Sequence, residues 1–268
     1  MIATLPPGSV AIMTIEELHR DRARAGSFGS AAGDYDRYRL SYPEALIGDL
    51  AARNPGTVLD VGCGTGKAAT ALARRGLAVL GVELDERMAT VARGHGLDVE
   101  IAAFETWDAA GRTFDLLTCA DAWHWINPAE GVAKAAEILN PGGTAARFWN
   151  TYSVSEHVVE ALDAVYQQHA PEVSQMWRPR SDTILDDLSG DPFAGDPRFT
   201  VEEPRFYGWE YSFTSGEWAG LASTISDHRR LGPERLAALL GAVREAVDEL
   251  GGTIRSQHET YVLLARKN

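Results

Sequence analysis

The stretch Val58-Leu59-Asp60-Val61-Gly62-Cys63-Gly64-Thr65-Gly66-Lys67 constrains this chain more than any other. An apolar run interrupted only by Asp60 gives way to three alternating glycines, and an Ala-rich helical stretch begins at Lys67. That order predicts a buried parallel strand, a tight turn and a helix N-terminus, where bare backbone can face a nucleotide-like ligand. Glycine suits such a turn because a Cβ would block close approach and several turn positions are expected at positive φ. What the loop lacks narrows the ligand. A dinucleotide fingerprint starting at Gly62 needs glycine where Lys67 stands. A phosphate-cradling Walker loop ending at Gly66-Lys67 needs glycine in place of Val61 and a hydroxyl residue in place of Ala68. Asp60 would repel a pyrophosphate, whereas it suits a cationic or amine-bearing ligand.

Downstream, strands and helices alternate. Ala78–Val82 reads as the second strand, ending at Glu83, an acid placed to accept from two ribose hydroxyls. A helix over Asp85–Arg93, with Met88 toward the base, leads to a short third strand, Asp98–Ala102. Phe114–Cys119 is the fourth, opening into Ala120-Asp121-Ala122-Trp123-His124-Trp125. Asn127 then caps and Pro128 opens a helix to Leu139, and Asn140-Pro141-Gly142-Gly143 turns into a fifth strand, Thr144–Trp149. The fold class is α/β: a Rossmann-like, doubly wound, mostly parallel sheet. Its ligand crevice lies at the carboxyl ends of the strands, where Gly62, Glu83, Phe104, Ala120 and Trp149 fall.

The rest is less regular. Short helices are expected over Thr14–Arg24 and Pro43–Arg53, flanking a flexible Gly26–Gly33. Ser155–His169 is a helix, and Pro171–Pro204 is a loop or, preferably, an inserted cap. Arg205–Phe213 looks like an aromatic strand, Thr214–Ser226 a helix, Pro233–Leu250 an amphipathic helix and Thr260–Ala265 a closing strand.

With 268 residues the chain is read as one domain able to bury a substantial core. The net charge of −13, from 25 basic against 38 acidic residues, argues against nucleic acid or an anionic membrane as partner. Two cysteines are too few for a disulfide framework, and no zinc-ligand spacing appears, so no metal is expected. Without a basic leader or a membrane-length apolar run, the chain is expected in the cytoplasm, as a monomer or homodimer.

Asp60-Val61-Gly62-Cys63-Gly64 followed by Glu83 resembles motif I of the class I S-adenosylmethionine (SAM) dependent methyltransferases. Tyr35, Arg39, Tyr42 and Pro43 match a Y-x-x-x-R-P-x-Y-P element of small-molecule enzymes related to trans-aconitate methyltransferase, with Leu40 in place of the first proline. The L-x-P-G-G turn is a further shared feature. The resemblance implies a seven-stranded sheet whose last strand is antiparallel and lies between strands five and six. It also implies three parts of one domain: a lid over residues 1–42, a SAM-binding core over 43–154, and the remaining strands with a substrate cap over 155–268. SAM, with S-adenosylhomocysteine (SAH) as product, would be held by Tyr35, Arg39, Asp60, Gly62, Cys63, Gly64, Glu83, Leu84, Met88, Phe104, Glu105 and Ala120. Glu105 or backbone would meet the adenine amine, because alanine stands at position 103.

Methyl transfer from a sulfonium needs chiefly alignment, and a base only where the acceptor must lose a proton. His124 is either that base or a packed histidine orienting its loop. Trp123, Trp149 and His228, with Trp177 and Trp209, either line the acceptor pocket or belong to the core. The implied function is methylation of a small molecule, on an oxygen of a carboxylate or phenol-like metabolite. A SAM-fold binding protein without methylation activity and a nucleotide-binding oxidoreductase remain as alternatives.

Overall fold

Nine α-helices, four 3-10 turns and eight strands are found among the described residues of the computed structural model, which are 18–21, 28–174, 177 and 190–268. Most of the expected 14–24 helix lies outside the described residues, as do Arg178, Arg180 and Ile184-Leu185 of the expected cap.

The strands are β1 (Val58–Val61), β2 (Val79–Glu83), β3 (Asp98–Ile101), β4 (Phe114–Ala120), β5 (Leu139–Val154), β6 (Phe199–Val201), β7 (Arg205–Thr214) and β8 (Thr253–Lys267). They form one sheet in the order β3-β2-β1-β4-β5-β8-β6, with β7 also paired to β8. The first five are mutually parallel, and β8 runs antiparallel to β5. On its other edge β8 takes β6 along Ala265–Lys267 and β7 along Thr253–Val262. These two share one edge position, broken at Glu202-Glu203-Pro204, where proline has no amide hydrogen for the ladder. Seven positions are therefore filled by eight strands.

The helices are α1 (Ala32–Tyr38), α2 (Glu44–Ala51), α3 (Lys67–Ala73), α4 (Glu86–Gly94), α5 (Pro128–Ile138), α6 (Glu156–His169), α7 (Ser215–Ser223), α8 (Ser226–Arg229) and α9 (Pro233–Glu249). On one face of the sheet, α2 and α3 bury Leu46, Ile47, Leu50 and Leu72 against Phe148, Val262 and Leu264. On the other, α5 buries Val132, Ala135 and Ile138 against Leu59, Leu117 and Ala145. Each large aliphatic side chain so buried contributes about 1.5–3 kcal/mol. A separate apolar cluster joins α6, α7 and α9 through Leu162, Tyr166, Trp218 and Val243, packed on Tyr152, Phe213 and Ile254 at one end of β5, β7 and β8. That cluster caps the carboxyl ends of the parallel strands.

Three expectations are corrected. The fifth strand, expected over Thr144–Trp149 after a turn, spans Leu139–Val154, because Leu139 already pairs with Phe114 and residues 140–143 bulge out before Thr144 pairs with Leu116. The helix foreseen over 214–226 is two: Thr214 caps α7 through a reciprocal pair with Glu217, and Ile225 returns to extended geometry before α8. Strand β8 begins at Thr253 rather than Thr260, because its inward positions Ser256, His258 and Thr260 are polar yet buried.

Candidate active site

The glycine turn after β1 has Gly62, Gly64 and Gly66 at φ of 62°, 56° and 85°. A Cβ on Gly62 would stand 2.7 Å from the Ala122 methyl, and one on Gly66 2.4 Å from Leu97. Only glycine fits both demands. Opposite the turn, Glu83 accepts from the Gly64 amide at 2.8 Å through Oε2 and from the Asp85 amide at 2.9 Å through Oε1. Burial raises its pKa, and these backbone donors pull it back. Each carboxylate oxygen retains a lone pair for a ligand hydroxyl.

Asp60 lies beneath the turn, 1% exposed, with Oδ1 accepting from Thr118 Oγ1 at 2.7 Å and no hydrogen-bond partner for Oδ2. Burial pushes its pKa up to about 7, against the lowering effect of Thr118. Cys63 turns its Sγ into the cleft left by Gly81, whose added Cβ would be 2.7 Å from that sulfur.

Two chambers open on this turn. The first, about 790 Å³, is lined by Glu83, Leu84, Met88, Phe104 and Glu105, with Phe28 packed on Trp125 in the same wall. The second, about 770 Å³, is lined by Arg39, Tyr42, Thr65, Lys67, Asn150, Tyr152, Leu221 and His258, with Cys63 at its edge. Tyr35, Gly62, Gly64, Ala120 and Asp121 line both, so the chambers meet over the glycine turn.

Helix α1 roofs the junction. Arg39 donates from Nε to Thr224 Oγ1 at 2.8 Å, and its guanidinium lies 5.4 Å from the Tyr35 ring centre. The Tyr38 ring fills the place a Cβ on Gly220 would need, 2.4 Å away. Lys67 Nζ donates to the Asp36 carbonyl at 2.7 Å. Below, Asp121 has φ of 51° and accepts from the Tyr42 hydroxyl at 2.9 Å. Burial raises the Asp121 carboxyl to about 6, and Tyr42 holds it lower than burial alone would.

Of the twelve residues assigned to the cofactor, eleven line one chamber or the other, and Asp60 lies behind the wall. The residues assigned to acceptor chemistry fall elsewhere. His124 sits on the turn Trp123–Trp125 with its ring 4.9 Å from Trp125, and it lines neither chamber. Trp123, 5% exposed, packs against Phe104 and Phe193 in the main core. Trp149 lies flat on Tyr261, with ring centres 5.1 Å apart. His228 is fully buried against Tyr166, its Nδ1 2.8 Å from the Ala222 carbonyl oxygen. Trp177 stacks on Tyr166 and Trp209 on His258. Sequence reasoning missed Asp121, Asn150, Tyr152 and His258. Asp121 carried a usable signal, as the first acid after a buried strand that ends in the crevice.

A sequence profile described as a methyltransferase domain matches residues 58–143. A ubiquinone biosynthesis O-methyltransferase of Xylella fastidiosa is 32% identical over 187 residues, which cover 61% of this chain and 74% of that protein. The chain belongs to the class I SAM-dependent methyltransferases. An uncharacterized methyltransferase of this kind from Mycobacterium tuberculosis is 40% identical over 128 residues, 47% of this chain. The match spans about half (52%) of that relative's own length. Among solved structures, a candidate type II methyltransferase from Anaeromyxobacter dehalogenans superposes with a TM-score of 0.62 at 24% identity, over 85% of this chain and 98% of that one. That likeness is one of fold: the mostly parallel sheet with its antiparallel C-terminal strand.

Proposed function

We propose that this chain methylates a small molecule, with SAM held across the glycine turn and the acceptor admitted through the second chamber. The observation that carries the reading is the meeting of two chambers over Gly62 and Gly64, beside a Glu83 carboxylate with free lone pairs. Bound SAM supplies a methyl group on a positively charged sulfur. Glu83 accepts the ribose hydroxyls, while Leu84, Met88 and Phe104 give the adenine an apolar slot with Glu105 at its edge. Glu105 is itself fixed by the Asn127 amide at 3.1 Å. Arg39 Nη1 has no protein partner among the described residues and takes the amino-acid carboxylate. Asp60 supports the turn from below instead of touching the ligand.

Residues around α1 act as the lid, and the cluster over α6, α7 and α9 closes the acceptor side. A concave chamber lined by aromatic and polar side chains and a net charge of −13 favour a small acceptor over a polymer. Similarity to ubiquinone biosynthesis O-methyltransferases favours oxygen as the acceptor atom. The turn carrying His124 frames the mouth, and His124 orients that turn. Buried free thiols at Cys63 and Cys119 suit a reducing compartment such as the cytoplasm.

Calorimetry with SAM and SAH tests the cofactor site. Both are expected to bind in the micromolar range and to raise the melting temperature. A folded protein that gives no heat with either ligand would refute the reading.

A further inference from the structure

The second chamber holds an imidazole to which the reading above gives no task. His258, on β8, lies against Trp209 with ring centres 4.4 Å apart and planes 25° apart. Among the described residues it is the one histidine that lines either chamber. Behind it, Ser256 Oγ stands 2.6 Å from His258 Nε2 and 3.1 Å from the Tyr211 carbonyl oxygen. A carbonyl only accepts, and a serine hydroxyl has one proton to give. Two oxygens at that distance with no proton between them would repel. Ser256 therefore donates to Tyr211, and His258 donates Nε2–H to Ser256. For a neutral ring only this arrangement satisfies both contacts, and it leaves a bare lone pair on Nδ1. Nδ1 has no partner among the described residues, and it is not sealed from solvent as the unpartnered Nε2 of His228 is.

We propose that His258 Nδ1 is the proton-accepting group of the acceptor subsite, and that it selects a substrate whose methyl-receiving oxygen carries a proton, a phenol or alcohol rather than a carboxylate. The proposal rests on the methyltransferase reading and deepens it. A carboxylate would bring its lone pairs against that of Nδ1, whereas a hydroxyl donates to it. As the acceptor oxygen bonds the methyl carbon, the sulfur keeps the electron pair of the broken S–C bond and the hydroxyl proton passes to Nδ1. Burial holds the imidazole down at about 4, so it meets the substrate neutral. Its other titratable neighbours in the chamber are Tyr35 of α1, Arg39 at its C-terminal cap, Tyr42, Cys63 of the glycine turn, Lys67 of α3, Asp121 after β4 and Tyr152 of β5. Ser256 fixes the ring and is a positioning residue.

Two measurements on the full chain test this. The first is an imidazole ¹⁵N spectrum at pH 7 with SAH bound, assigned with His258→Asn. A protonated Nε2 and bare Nδ1 are expected, with Ser256→Ala letting both tautomers appear. A protonated Nδ1, or an imidazolium, overturns the proposal. The second is SAH release from SAM with panels of phenols, alcohols, carboxylic acids and amines. Turnover is expected with hydroxyl compounds alone, falling about a hundredfold or more in His258→Asn while calorimetric SAH affinity stays unchanged. Turnover on acids or amines, or full activity in His258→Asn, overturns it. A wild-type protein that binds neither SAM nor SAH overturns instead the methyltransferase reading on which the proposal stands.

Discussion

Glu83 does two tasks with one carboxylate, closing the glycine turn onto β2 and presenting lone pairs to the first chamber. Glu83→Ala is therefore expected to weaken SAM binding by about 1.5–3 kcal/mol, read by calorimetry, as the loss of hydrogen bonds to a charged group. Asp60 makes a different contribution. Its carboxyl, held up at about 7, keeps a proton over a range in which the unfolded chain has lost its own. The folded state binds more protons there, so this residue makes stability fall as pH rises from about 4 to about 7, by at most about 4 kcal/mol. Denaturant titrations across that range should show a shallower decline in Asp60→Asn. The positions of these two acids were legible in the sequence because spacing from a glycine turn fixes where a strand-end side chain must stand. The positions of His124, His228 and Trp123 relative to the chambers were not legible. An aromatic or histidine near a crevice has the same composition whether it faces in or packs behind, and here all three lack a place in either chamber wall.

At the scale of elements, β1, β2 and β4 were legible because they are short, largely apolar runs stopped by polar or glycine residues. Strand β8 was legible only in its second half. From Ile254 to Thr260 its buried side chains alternate and are mostly polar, so hydrophobicity gave no signal, and with that half-strand went the histidine it carries. Helix α1 shows the opposite case, a motif whose anchoring was invisible. Its Tyr38 ring occupies the space above Gly220, and Arg39 reaches Thr224, so two residues of α7 and its C-terminal cap hold the roof. Gly220→Ala is expected to expel Tyr38. Hydrogen exchange over residues 32–39 should then accelerate and SAM affinity fall, while exchange in β1 and β4 stays as in the wild type.

On the scale of the whole molecule, the segment that precedes β6 is tied to the sheet by a buried ion pair. Arg147 of β5 donates from Nη2 to both Asp191 oxygens at 2.7 Å, with side chains 1% and 4% exposed. Phe193 lies beneath the guanidinium at 4.3 Å. Asp191→Ala would leave a buried cation without its counter-charge and should cost about 3–5 kcal/mol of unfolding free energy in a denaturant titration. Nothing in the sequence joined positions 147 and 191, because the pairing depends on a chain return that no local pattern encodes. The long ladder of β5 with β8, from Thr144–Arg266 to Val154–Ser256, has a mechanical meaning as well. The same two strands that finish the central sheet run on, without a break, into the apolar cluster around α6, α7 and α9. Among the described residues that cluster and the sheet are thus joined by one continuous two-stranded beam. On the proposed reading, exchange of small molecules is gated from the opposite bank, where α1 is held by a few side chains, and the turnover rate would follow that short helix.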